Sequence, residues 1–298
     1  MAYGSLAQTI WSARLDANLQ KTLVYGALAN RNYEGDASIS NIVAINTIGS
    51  VTTHPYNPTG SMPLDDLSST SQSLNLDQKY TFNVMVQDFT KVQSRADLAN
   101  GLMQEAAYSI GDRIDQFMAA LPNSASYIQN NVTSSDAAAS AGTTTILQTV
   151  GNVAQFESSS MPASHSAASA LARLGEILDR NNVPKAGRWV VVPAWFNTLL
   201  NQDGKWNYQP SILSNGLVQG QLVNGLQVYV SNNVPGTYAV DNTIIASSPA
   251  CWTFANAIKE IEAYRPQGYF ADAIKGLYVY GGLVTKAAGF AYLRAVKK

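Results

Sequence analysis

The chain has 298 residues, 46% hydrophobic and 13% charged, with a formal net charge of −1. That length accommodates one large domain or two ordinary ones with a sizeable core. Globular proteins average about 25% charged residues, so solubility is not supplied by self-repulsion. The 19 Lys and Arg are scattered, which excludes the concentrated basic surface that nucleic-acid phosphates need.

The polar surface is therefore built from Asn, Gln, Ser, Thr and Tyr. Sparse charge fits a surface committed to other chains, because interface cores are depleted in charge and enriched in Tyr. Secretion or drift would give the same composition. Cys251 is the one cysteine, which rules out a disulfide within one chain; it reads as a buried small hydrophobe. The N-terminus MAYGSLAQTIWSARLD has no basic head followed by a long apolar core, so no signal peptide is expected and synthesis is assigned to the cytoplasm. No run of about 18 apolar residues predicts a transmembrane helix.

In chain order, Leu6 to Asn30 is mildly helical, with Ile10, Leu15, Leu19, Leu23 and Val24 apolar at loose helical spacing. Ile39, Val43, Ile45 and Ile48 then mark one strand-like run. Leu74, Leu76, Tyr80, Phe82, Val84 and Val86 mark another. Between them His54 to Ser73 carries three prolines and a Ser/Thr cluster, which no regular element tolerates. This pattern predicts a two-stranded arm with an irregular tip, each strand reaching roughly 45 Å at 3.3 Å per residue. A lone two-stranded ribbon is marginally stable, so the arm asks for a surface, and a neighbouring subunit is the natural one.

Ser94-Arg-Ala-Asp97 has the form of a capping box. A helix of roughly 40 Å follows, with an apolar stripe from Leu98 to Leu121 and Pro122 ending it. Asn123 to Gly142 reads as loop. A second helix spans Ser164 to about Arg180 and stops at Asn181-Asn182. Arg188 to Val192 is a short buried strand, and Pro193 opens a short helix with Trp195, Phe196, Leu199 and Leu200. In GQLVNGLQVYVSNNVPG (220–236), Asn224-Gly225 suits a type I′ turn and Leu226, Val228 and Val230 alternate with polar residues, predicting a hairpin. Ile258–Tyr264, Ile274–Leu283 and Phe290–Ala295 read as strands, with Arg265-Pro-Gln-Gly268 a loop.

The chemical inventory is thin. One Cys and two His make a zinc site improbable, and no nucleophile elbow, phosphate loop or dinucleotide fingerprint occurs. Asp65-Asp66 reads as a solvated acidic tip. Glu260 and Glu262 share a strand face, where pairing with basic groups is commoner than cation binding. The five Trp do not alternate with basic residues, so they read as core, not as base-stacking platforms. No cofactor, metal or enzymatic activity is expected.

The order of elements, with Tyr25–Asp36 and Asn41–Ile45, the 220–236 segment and Tyr280–Phe290, resembles the major capsid proteins of tailed bacteriophages over essentially the whole chain. The resemblance implies an α+β fold of the Hong Kong 97 type. Its N-terminal arm would cover 1–35 and its extended loop 36–90. The spine helix would lie within 91–122, the axial domain would cover 123–250, and peripheral strands would fill 251–298. It further implies a structural protein without an active site, forming pentamers and hexamers of itself in an icosahedral head around packaged double-stranded DNA, within the virion. A separate scaffolding protein, a portal and decoration proteins are possible partners; DNA contact would be non-specific, with no membrane role. The nearest alternative is an encapsulin-like compartment shell; a tail-tube or surface-layer protein comes next, and a hydrolase after that.

The family's prototype links subunits through a Lys in the extended loop. None occurs here between Lys21 and Lys79, so non-covalent shells are expected. The arm begins about forty residues in, so no fused scaffolding segment is expected. Subunit contacts are assigned to Arg31, Tyr33 and Glu34 at the arm's root, to Tyr80, Phe82 and Val84 on one arm face, and to Arg265 and Gln267 on the loop that the resemblance places near threefold positions. Phe82→Asp is expected to leave a soluble monomer that does not assemble.

Overall fold

A computed structural model describes residues 20–21, 23–34, 42–49, 52–55, 66, 69–87, 98–122, 149–150, 153–156, 167–202, 211–212, 218–219, 225–237 and 241–297. Helices and mostly antiparallel sheets make up these residues, so the class is α+β as expected.

The apolar middle of the chain builds one large sheet. Its strands are β4 (Thr149–Val150), β5 (Val153–Phe156), β6 (Trp189–Val192), β9 (Gln227–Val230), β10 (Gly236–Thr237), β11 (Asp241–Ser247) and β14 (Ala291–Lys297). They lie in the order β4-β5-β14-β11-β6-β9, with β10 beside β11. A small separate pair joins β7 (Ser211–Ile212) to β8 (Val218–Gln219). The run Trp-Val-Val-Val of β6 is buried throughout, as a strand covered on both faces must be. Helix α3 (Ala167–Arg180) presents Leu171, Leu174, Ile177 and Leu178 to the core. Its expected stop is real: Asn182 takes a left-handed φ of 55°, which Asn tolerates better than most side chains. Helix α4 (Ala194–Gln202) follows Pro193.

Several expectations change. Of the hairpin expected in 220–236 the second strand is found as β9, and it pairs in parallel with β6, Trp189 facing Gln227 and Val192 facing Val230. Gly225 has the expected positive φ of 77°, while Leu222, Val223 and Asn224 lie outside the described residues. The last strand, β14, joins β11 and β5 in the large sheet and is not a neighbour of the strands just before it. From the N-terminal helical expectation only one turn is found among the described residues, α1 (Tyr25–Leu28). Ser94–Asp97 and the 123–142 loop fall outside them.

The expected arm is also divided. β1 (Ile42–Ile48) pairs antiparallel with β2 (Ser69–Asn75), Ile42 opposite Asn75. The second run does not continue along that ribbon: β3 (Gln78–Gln87) pairs instead with β13 (Ala271–Val284), which pairs with β12 (Trp252–Tyr264). Pairing with β13 gives β3 the backbone partners and apolar cover that a free ribbon lacks.

Three layers result. The ribbon lies on one face of the three-stranded sheet, and the long helix α2 (Leu98–Ala120) lies on the other. Val43, Ile45, Leu74 and Leu76 pack with Ala255 and Val279 in a small cluster of their own. Two adjacent glycines mark where the layers cross. A Cβ on Gly281 would stand 2.1 Å from the Asn75 carbonyl oxygen of the ribbon, and one on Gly282 would stand 2.9 Å from Met118 of α2. Successive residues of a strand face opposite ways, so the pair serves both faces.

Candidate subunit-contact site

The root of the arm is sewn to β12. Asn30 bridges to Thr253, the Trp252 indole N–H donates to the Leu28 carbonyl at 3.2 Å, and the Thr253 hydroxyl donates to Asn30 O at 3.0 Å. Arg31 stands 5.4 Å from the centre of the Phe254 ring and 3.7 Å from Glu34. Tyr33 packs against the small apolar cluster under the ribbon. Arg31, Tyr33 and Glu34 thus hold the arm's root within one chain.

Tyr80, Phe82 and Val84 share the face of β3 that looks toward α2. Tyr80 stacks on Tyr280 with ring centres 5.8 Å apart and planes 12° from parallel. Burial pushes the Tyr280 phenol well up from its ordinary pKa. The Phe82 ring covers Gly276, the residue opposite it, where a Cβ would lie 2.3 Å from the ring. These three side chains, with Ala106, Ile110 and Arg113 of α2, line an open groove of about 450 Å³.

Arg265 and Gln267 sit where expected, in the loop between β12 and β13, both exposed. The same loop carries two residues that the sequence reading passed over. Tyr269 is 62% exposed and Phe270 86%. Gly268, with φ 85°, turns the chain just before them. Their signal was available: an aromatic pair directly after Pro-Gln-Gly has no strand position to fill. Lower on the hairpin, Glu262 pairs with Lys275 across the strands at 2.8 Å, so this carboxylate has the basic partner anticipated for it.

A polar seam runs along α2 on a different side. Lys21 donates its backbone N–H to the Tyr108 hydroxyl at 2.9 Å and holds Asp112 at 3.5 Å. Asp115 is 1% exposed. It accepts the backbone N–H of Val24 at 2.9 Å and of Gly26 at 3.2 Å, and the side-chain N–H of Asn233 at 2.9 Å. Burial raises its pKa despite these hydrogen bonds. The carboxylate thus takes two N–H groups at the start of α1, whose own cap residue Val24 makes no side-chain cap bond. Tyr108, Asp112 and Asp115 recur at helical spacing beside the apolar stripe that dominates the helix's sequence pattern.

Among the described residues no group of three His, Cys, Asp or Glu could hold a metal, and no helix is long and apolar enough to cross a membrane. Among the described residues the sheet, the long helix and the seated ribbon meet through apolar packing and hydrogen bonds. Residues 78–293 match the family described as phage capsid protein. The chain belongs to the phage capsid protein family. No curated protein sequence matches it.

Among solved structures, that of Mycobacterium phage Che8 is 26% identical, covers 98% of both chains and has a TM-score of 0.71. The capsid structure of Cyanophage P-SCSP1u is 14% identical, covering 98% of this chain and 94% of that one, with a TM-score of 0.71. The asymmetric unit of the bacteriophage PhiM1 mature capsid is 11% identical, with 97% and 92% covered and a TM-score of 0.62. This phage capsid protein therefore has the Hong Kong 97-type fold. It is a major capsid protein, a structural component of the phage virion.

Proposed function

We propose that this capsid protein tiles its shell as pentamers and hexamers around packaged double-stranded DNA, with no catalytic role of its own. The observation that carries this reading is the family match across 78–293 together with whole-chain similarity to the Che8 structure. Its extended loop is the β1–β2 ribbon and its tip, within 36–90. Its spine is α2, within 91–122. The axial domain is built on 123–250 and borrows β14 from the C-terminal end. β12, β13 and β3 form the peripheral sheet with the spine. Arg31, Tyr33, Glu34, Tyr80, Phe82, Val84, Arg265 and Gln267 border the contacts between copies.

Synthesis and assembly take place in the host cytoplasm. The shell is non-covalent, since the extended loop's tip carries no Lys. A scaffolding protein assists assembly, and a portal and decoration proteins complete the head. Near-neutral charge suits a wall that must release DNA, because affinity for the duplex grows with each phosphate neutralised.

The test is to express the chain alone and follow it by sedimentation and negative-stain microscopy, then repeat with candidate scaffolding protein. Closed polyhedral shells are expected from one of the two. Tubes, sheets or only small oligomers under both conditions overturn the reading. Shells that run as a covalent ladder after boiling in SDS overturn the non-covalent part alone.

A further inference from the structure

Tyr269 and Phe270 are the two most exposed large hydrophobic side chains among the described residues. They stand together at the end of the β12–β13 hairpin, on a loop turned by Gly268. Scattered single apolar residues on a surface need no explanation. A neighbouring Tyr-Phe pair at a projecting tip has the composition of a binding hot spot.

The matching concavity lies on the same hairpin's own side of the molecule. The groove between β3 and α2 is walled by Tyr80, Phe82, Val84, Ala106 and Ile110. It is lined further by Arg113 and Glu105, while Arg265 and Asp272 flank the tip. Each charge near the aromatic pair thus has one of opposite sign beside the groove.

We propose that the Tyr269–Phe270 tip of one copy inserts into the β3–α2 groove of a neighbouring copy. The proposal rests on the capsid reading and supplies it with a specific contact. A tip cannot fill the groove of its own chain, because the groove lies along the strands that carry the tip. Val84 is opposite Ile274 and Tyr80 opposite Tyr278, which puts the groove about 13 to 27 Å from Phe270 at ~3.4 Å per residue. Donor and acceptor surfaces differ, so the contact is head-to-tail. Head-to-tail contacts close into rings when the rotation permits.

Area decides that this contact belongs to an assembly and not to a dimer. Two aromatic side chains bury about 150–250 Å² each. A stable pair of proteins needs roughly 800 Å² per partner, so one insertion is too small. In a ring every copy gives one tip and receives one, which doubles the buried surface per subunit.

The experiment combines Phe270→Cys with Ala106→Cys in the full chain, assembled as particles and then oxidised. Cys251 is buried and burial raises its thiol pKa, so it stays silent. Covalent multimers in non-reducing SDS, reversed by reductant and missing from each single variant, are the expected result. Assembled double-variant particles that yield monomers only overturn the proposal.

A density map of unsubstituted particles provides a second readout that no folding defect can obscure. Phe270 seated against the Tyr80 and Ile110 of a neighbour supports the contact. Phe270 in solvent, or meeting only other Phe270 side chains, overturns it while leaving the capsid reading intact. An unsubstituted chain that forms no shell, with or without scaffold, sinks that reading and the contact with it. Phe270→Ala should raise the subunit concentration needed for assembly by about tenfold or more, with an unchanged thermal midpoint for the monomer.

Discussion

In the large sheet β6 is buried along its whole length, and its Trp189 ring is followed in the main core by Trp252, from the start of β12, and Phe290, at 5.3 and 5.9 Å. On the three-stranded sheet, by contrast, Tyr80 and Met85 remain 40% and 42% exposed, and the tip beyond them carries Phe270 in the open. The first region completes its core within one chain. The second has a small apolar cluster beneath the ribbon, a groove on its other face and an aromatic end. Stability and association are thus divided between two places, and substitutions should separate them.

The largest effect belongs to the closed main core, into which Trp252 projects from the first residue of β12. Trp252→Ala removes a fully buried ring and its hydrogen bond to Leu28, and should cost about 3–5 kcal/mol. Denaturant unfolding of the monomer checks this; a loss under about 1 kcal/mol would erase the contrast drawn here. Gly281→Val comes next. It drives a side chain into the Asn75 carbonyl, at about 1–3 kcal/mol, and should lift the ribbon while leaving the large sheet folded. Hydrogen exchange confined to residues 69–76 is the expected signature.

Phe82→Asp breaks the open region. Its ring covers Gly276 and lines the groove, so the monomer loses some stability as well as its partner surface. Shells of normal yield from this variant would show that the groove face is dispensable.

Two carboxylates sharpen the comparison by titrating in opposite senses. Burial holds the pKa of Asp115 up, so the folded chain binds that proton more tightly than the unfolded chain. This contribution is complete below the ordinary Asp value of about 3.9 and fades as pH rises through the folded value. Asp179 is held down, chiefly by the hydrogen bond from Arg188, 2.7 Å away. Its contribution is present above about 3.9 and fades as pH falls through the lowered value. Unfolding midpoints measured across this range should lose the first slope in Asp115→Asn and the second in Asp179→Asn. Asp115→Asn should also cost about 1–3 kcal/mol, because its amide meets the Asn233 amide. The smallest change is Lys275→Ala, which opens a half-exposed ion pair with Glu262 and should shift stability by less than about 1 kcal/mol.

How much of this was written in the residues follows from the range of the interactions involved. Helix α3 and strand β6 were legible because periodicity and stop residues are local. The continuous run from Leu74 to Val86 concealed the passage from ribbon to sheet at Asp77, since alternation is the same whichever partner a strand finds. Likewise β9 alternates as a hairpin strand would, yet its described partner is β6, thirty-odd residues earlier. Arg265 and Gln267 identified the tip loop, but the exposure of Phe270 depends on what the fold leaves uncovered there. Asp115 was hidden because its partners are backbone amides and an Asn more than a hundred residues away.

The fastening of the N-terminal segment sets an order of events during synthesis. Val24 and Gly26 are held by Asp115, which is joined to Asn233, while Leu28 and Asn30 are held by Trp252 and Thr253. A ribosome must therefore have made more than four-fifths of the chain before residues 24–30 acquire their last partners. Contacts of such sequence separation form late and slowly. During that interval residues 24–30 of a nascent subunit are accessible to any chaperone or companion protein, an opening that their fastening in the folded chain closes.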